Sequence, residues 1–446
     1  MPQNFVYPQR DQLLLLPVDM REWLPEDDLV FVVLDAVATV DLDGFRRRYR
    51  AGGHGRAAFD PGMMVALLLY GYCQGERSSR VIERRCVRDV GYRVITGGLN
   101  PDHATIARFR ARHDKALGGL FSQVLRLLAA EGMVSLGTIS LDGTKLAGNA
   151  AQKANRTLPQ IEKLLAEAAA ADAAEDARYG DAPGEPTPRT LARRAGRRER
   201  LGHARDRLAA EDQARRDAQR AKLAAWEAAA AAGKPRGHRP GDEPPRPNRN
   251  NTEPRANITD PDVRVMRNQK GYVAGYNGQL VVTTGQVIAG AMLSQHPAGR
   301  TLLHPLLDTC RQQLTEAGIR PKLRTVLADS GYVSEETFAR ADADGLRLLA
   351  PLAKDPARRY ARTPQRARHL DRFPATARAR RRLKHPRGRD DYKLRARTVE
   401  PVFGQLKTCQ KLTMMSRRGL AACENEWLLA CAAHNLRKLH RHRTER

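Results

Sequence analysis

Gly137-Thr138-Ile139-Ser140-Leu141-Asp142 and, far downstream, Leu323-Arg324-Thr325-Val326-Leu327-Ala328-Asp329 share one plan, a β-branched apolar run that ends in a carboxylate. Each reads as a short buried strand with an aspartate at its mouth. Between them, residues 279–284 and 287–293 flank Gly285-Gln286, the pattern of an antiparallel hairpin, and a helix is expected over 302–317. After Asp329 the periodicity predicts a helix over 334–344 and a strand over 346–352. Strand, long insert, hairpin, helix, strand, helix, strand is a mixed α/β order, a central sheet with helices on its faces.

A third carboxylate follows in Arg397-Thr398-Val399-Glu400-Pro401-Val402-Phe403-Gly404-Gln405-Leu406-Lys407. Thr398 suits an N-cap and Pro401 is tolerated in a first turn, so a helix is expected to begin near Thr398 with Glu400 at its positive end. Lys407 lies two turns on, on the Glu400 face, while Val399, Val402, Phe403 and Leu406 form the apolar side. Just upstream, residues 354–393 are dense in arginine and are expected to stay mobile or lie on a polyanion.

The 446 residues suffice for two or three domains. Residues 1–134 read as an all-helical domain, 135–150 as the first strand of the sheet, and 257–440 as its remainder, with a basic tail over 441–446. The stretch 151–256 is rich in alanine and arginine, then in glycine and proline, and reads as a helical hairpin followed by a flexible basic linker. Within the first domain, Asn100-Pro101-Asp102 is a helix-start signal. The helix after it would bury Ile106 and Phe109 and turn Thr105, Arg108 and Arg112 outward. Such a face suits a recognition helix and equally an ordinary solvated basic surface.

Lys and Arg outnumber Asp and Glu by 77 to 50, a formal charge of +27. That excess favours a polyanionic partner, because each neutralised phosphate releases counterions. No apolar run approaches the ~20 residues of a membrane span and no signal-peptide pattern follows Met1, so a cytoplasmic, nucleoid-associated protein without a membrane partner is expected. Cys73, Cys86, Cys310, Cys409, Cys423 and Cys431 contain no C-x-x-C pair and read as reduced, mostly core thiols. His434, His440 and His442 lack ligand spacing and read as helix and tail residues.

Taken singly, Asp142-Gly143 and Asp329-Ser330-Gly331 are ordinary turn sequences and Glu400 an ordinary partner of a helix dipole. Strand-Asp, strand-Asp and helix-Glu in this order, in so basic a chain, make instead the layout of an RNase H-like nuclease core. Hard oxygen ligands of this kind suit Mg²⁺ or Mn²⁺, and two such ions can serve the attacking and leaving oxygens of a phosphodiester.

At these residues the sequence resembles the DDE transposases of bacterial insertion sequences with an InsH-type N-terminal domain. The resemblance rests on Leu141-Asp142-Gly143-Thr144-Lys145-Leu146, Ala328-Asp329-Ser330-Gly331-Tyr332 and the Arg397 to Lys407 stretch. Gly275-Tyr276-Asn277-Gly278-Gln279, Pro101-Asp102-His103-Ala104-Thr105-Ile106-Ala107-Arg108-Phe109-Arg110 and Ala433-His434-Asn435-Leu436 support it. It implies an RNase H-like mixed sheet with flanking helices, preceded by an all-helical N-terminal domain and interrupted by a helical insertion. It also implies that Asp142, Asp329 and Glu400 hold two Mg²⁺ or Mn²⁺ ions, cut double-stranded DNA at the terminal repeats and transfer the freed 3′ hydroxyl to target DNA, two subunits working on paired ends.

The resemblance further implies DNA contacts from Tyr392, Arg395, Lys407 and Lys145, beside those of Thr105, Arg108 and Arg112. Arg395 stands one residue farther from Glu400 than the family spacing, so the shares of Tyr392, Arg395 and Arg397 in phosphate binding stay open. An RNase H-like nuclease that does not join strands, and a DNA-binding regulator without catalysis, are the competing readings.

Overall fold

The computed structural model describes residues 19–49, 57–179, 189–233, 237–245, 253–268, 271–352 and 373–445. After a 3-10 turn at Met20–Trp23 the first part is helical throughout: α1 (Leu29–Thr39), α2 (Asp43–Arg46), α3 (Pro61–Cys73), α4 (Ser79–Arg88), α5 (Val90–Thr96), α6 (His103–Arg112) and α7 (Asp114–Ala130). Aspartates start four of these. Asp28, Asp60, Asp89 and Asp102 each accept a backbone N–H from the first turn, satisfying a donor that the helix itself cannot. On α6, Ile106 and Phe109 are buried while Arg108 and Arg112 are exposed and Thr105 is half-buried, as the spacing requires.

The sheet is built from β1 (Thr138–Ala147), β4 (Arg264–Asn268), β5 (Gly271–Thr283), β6 (Ile288–Ser294), β7 (Thr325–Leu327) and β8 (Arg347–Leu349). β5 runs antiparallel to β1 on one edge and to β4 and β6 on the other, while β1, β7 and β8 run parallel. The β5–β6 hairpin falls where Gly285-Gln286 places it, with Gln286 at φ 61°. α10 (Leu303–Glu316) and α11 (Glu335–Ala343, capped by Ser334) match their expected positions. Glycine is obligatory at one crossing: a Cβ on Gly275 would stand 1.9 Å from the Leu146 carbonyl, inside the β1–β5 ladder.

Several sequence expectations change. Asp142 does not end its strand, because β1 runs on to Ala147 along β5. The strand that stops is β7, which leaves the ladder after Leu327. Thr398 is not an N-cap and Glu400 is not at a helix start: both lie inside α13 (Pro386–Thr408), whose first turn carries Pro386 instead. Pro401 is therefore an internal proline, and the carbonyl it cannot bond, that of Arg397, accepts the Gln286 side-chain amide at 3.0 Å. The arginine-dense stretch is helical over α12 (Pro374–Lys384) and the start of α13, where Arg378 and Arg382 pair with Asp342. Its portion over 354–372 lies outside the described residues. The expected tail is helical as far as Thr444, where α14 (Leu420–Thr444) ends, and its last residue, 446, lies outside the described residues.

The insert is a hairpin of α8 (Leu158–Tyr179) and α9 (Arg189–Ala231). A two-stranded ladder that the sequence reading missed, β2 (Asn155–Thr157) with β3 (Arg255–Asn257), closes its base. Ile161, Leu201, Ala204, Leu208 and Ala256 form a small core of their own there. Of the expected basic linker, 234–236 and 246–252 lie outside the described residues. The helical N-terminal part and the sheet share one hydrophobic cluster, with α14 packed against α3, α7 and β6. Among the described residues no helix is long and apolar enough to cross a membrane. The six cysteines are free, and all but Cys409 are buried.

Candidate active site

Parallel pairing between β1 and β7 runs from Thr138↔Thr325 to Ser140↔Leu327. Two residues beyond the last of these pairs stand Asp142, still on β1, and Asp329, just past the end of β7, close enough for the Asp329 charge to act on Asp142. Because side chains alternate, Ser140 and Asp142 share a face of β1. Ser140 meets Thr398 of α13 at 2.6 Å between hydroxyl oxygens, and both are buried. Thr398 donates to the Arg395 carbonyl at 3.1 Å, which makes Ser140 the donor of the pair. That contact anchors α13 against β1 one step below the carboxylates.

Glu400 is then brought to Asp142 by a common partner. The Arg395 guanidinium donates to Asp142 Oδ2 at 2.6 Å through Nη2 and to Glu400 Oε1 at 3.0 Å through Nη1. The Arg395 and Asp142 side chains are 12% and 21% exposed and that of Glu400 is 54% exposed, so the group has a closed floor and one open wall. Burial raises the Asp142 pKa, opposed by Arg395 and by the Gly143 N–H at 2.7 Å, and the charges of Asp329 and Glu400 push it up further. Asp142 thus feels both of the other carboxylates. Among the described residues no trio of His, Cys, Asp or Glu is gathered ready around a metal position; a guanidinium stands between two of the oxygens instead.

The remaining site residues divide. Tyr392 is half-buried near the carboxylates, its hydroxyl held protonated by burial and by Asp329, Asp142 and Glu400 against the pull of Arg395. Lys145 donates to the Pro297 carbonyl at 2.6 Å, and burial lowers its ammonium to about 8, with Asp142 pulling the other way. Lys407 is half-buried, its pKa lowered by that burial, and it makes no ion pair among the described residues. Thr105, Arg108 and Arg112 are not part of this group. They line a cavity of about 590 Å³ in the helical part, with Tyr49, Phe59 and Phe109 as its aromatic walls. There Arg108 donates to Thr105 at 3.1 Å and Arg112 stacks over the Tyr49 ring at 5.6 Å.

Sequence reasoning gave Tyr332 and Gln279 no role. The buried Tyr332 hydroxyl donates to Gln279 Oε1, and burial together with Asp142 and Asp329 raises its pKa strongly. Both crowd Gly143, where a Cβ would fall 2.1 Å from the Gln279 amide nitrogen and 3.0 Å from the Tyr332 hydroxyl. The glycine after Asp142 and the tyrosine after Asp329-Ser330-Gly331 were the available signals; only the pairing of β1 with β5 explains them.

Compared with known protein families, residues 18–112 match a transposase domain (DUF772) and residues 254–436 match the transposase DDE domain. No curated protein and no solved structure matches the chain.

Proposed function

A chain that carries both of these transposase domains is a DDE transposase of the insertion-sequence type, and from that premise we propose that Asp142, Asp329 and Glu400 are its catalytic carboxylates. The observation that carries the proposal is their convergence: two aspartates, each two residues past the last β1–β7 pair and within reach of each other's charge, and a glutamate joined to one of them through a single guanidinium. The strand order β6-β5-β1-β7-β8, with the first pairings antiparallel and the last two parallel, supports reading the sheet as RNase H-like.

The donor set fits divalent metal: three carboxylates, all hard oxygen donors, at a place that already attracts a cation. Bound there, Mg²⁺ or Mn²⁺, as two ions, would polarise the phosphate and supply a hydroxide or activated 3′ oxygen near neutral pH. The chain's own contribution is placement. Ser140 and Thr398 hold α13 against β1, and the Glu400 wall stays open for a phosphodiester. Lys407, Lys145 and Tyr392 line the approach as phosphate contacts. Thr105, Arg108 and Arg112 on α6 are proposed to read the element's double-stranded ends, with two copies acting on paired ends and strand transfer into target DNA following cleavage.

Cleavage of a DNA fragment bearing the element's own end, with Mg²⁺, tests the assignment against Asp142→Ala, Asp329→Ala and Glu400→Ala. Nicking at the element boundary by the wild type alone, with all variants still binding, is expected. Equal binding without cutting by any of them under Mg²⁺ or Mn²⁺ would leave a DNA-binding regulator. Cutting without joining would leave a nuclease.

A further inference from the structure

We propose that Arg395 is the resident counter-cation of the carboxylate group, seated between Asp142 and Glu400 in the metal-free protein and displaced when a divalent ion enters. The inference rests on the assignment of those carboxylates above. Its first support is position. One guanidinium spans strand and helix, 2.6 Å from Asp142 and 3.0 Å from Glu400, with its side chain almost enclosed.

Its second support is incompleteness. Arg395 Nε is buried and has no hydrogen-bond partner, so the seat lacks the full satisfaction expected of a permanent buried ion pair. The third carboxylate, Asp329, accepts only the Gly331 amide at 2.8 Å and forms no ion pair among the described residues. The guanidinium therefore bonds two of the three carboxylates and leaves the third without a cation bonded to it, and a divalent ion offers the group more charge than the guanidinium can.

Competition follows from geometry. Mg²⁺ sits about 2.0–2.1 Å from carboxylate oxygen, whereas the guanidinium nitrogens already lie within hydrogen-bonding distance of the same two side chains. Two cations cannot share those oxygens without repelling each other. The arginine side chain is long enough to leave on its own torsions while its α13 backbone stays fixed, so exchange needs no movement of the fold. In the metal-free state Arg395 keeps the carboxylates from repelling one another, which lets α13 dock on β1 before any ion arrives.

Mn²⁺ binding to the full-length protein without DNA, followed by calorimetric titration and by melting with and without the ion, tests the exchange. Arg395→Gln is expected to melt below the wild type in chelator, to bind Mn²⁺ about tenfold more tightly and to gain more in melting temperature from it. Should that variant fail to fold, Arg395→Lys, which can hold one carboxylate at a time, is expected to bind Mn²⁺ more tightly than the wild type. Equal or weaker Mn²⁺ binding by the folded variant overturns the exchange. Asp329→Asn and Glu400→Gln separate the two levels. If they lose Mn²⁺ while the Arg395 variant gains nothing, only the role of Arg395 fails. If all variants bind like the wild type, the carboxylate assignment fails with it.

Discussion

Lys145 stands three residues past Asp142 on β1, and its half-buried ammonium loses its proton near 8 rather than in the usual lysine range of about 10.4. The unfolded chain therefore holds that proton more tightly than the folded one between these values. Stability should rise with pH across this window, because the unfolded state binds more protons there. Any grip on phosphate through Lys145 should weaken over the same window as the charge disappears. Urea unfolding and DNA binding from pH 7 to 10 check both signs. Relative to Lys145→Met, the wild type should gain stability and lose DNA affinity as pH rises above about 8. The same trend in Lys145→Met would assign the effect to other groups.

At the scale of elements, Gln286 and Pro401 form one device. Pro401 leaves the Arg397 carbonyl unbonded inside α13, one turn before Glu400, and the Gln286 carboxamide fills the gap from the hairpin turn. The same side chain accepts from Gln405 at 3.2 Å and Lys438 at 2.7 Å, and the Gln286 carbonyl accepts from the buried His434 at 3.1 Å. Gln286→Gly keeps the left-handed backbone and removes the side chain, carboxamide included. We expect it to cost about 1–3 kcal/mol by stranding a carbonyl, and to cost about 1 kcal/mol less in a Pro401→Ala background, where the helix supplies its own N–H. Equal costs in both backgrounds, by denaturant unfolding, would break the link. This is also where sequence reading reached its edge. Strand, hairpin and helix were legible around both aspartates because burial and turn chemistry are local. A proline after a capping residue reads as a helix start from local rules alone, and only a glutamine more than a hundred residues away shows that the helix runs through it. Asp142, Asp329 and Glu400 stand out in the sequence as candidates one by one, whereas the guanidinium that joins two of them depends on how α13 lies on β1.

Across the whole molecule, helical part and sheet are tied at Glu426 on α14. Its side chain, 2% exposed, pairs with Arg77 at 3.1 Å and accepts the Ser416 and Arg417 amides at 2.8 and 3.1 Å. Arg110 of α6 reaches the same loop through Ser416 at 3.2 Å. With one continuous core behind this tie, the helical part and the sheet should melt in a single calorimetric transition. Glu426→Ala should cost about 3–5 kcal/mol, because it leaves Arg77 half-enclosed without its carboxylate. Two separate transitions in the wild type would show the parts to be independent. The hydroxyl contact between Ser140 and Thr398 has a consequence in time. Those residues are 258 positions apart, so at about 5–20 residues per second of synthesis they are made on the order of 10–50 s apart. Throughout that interval the first strand exists without its helix, and the nascent chain holds Asp142 with neither Glu400 nor Arg395 beside it.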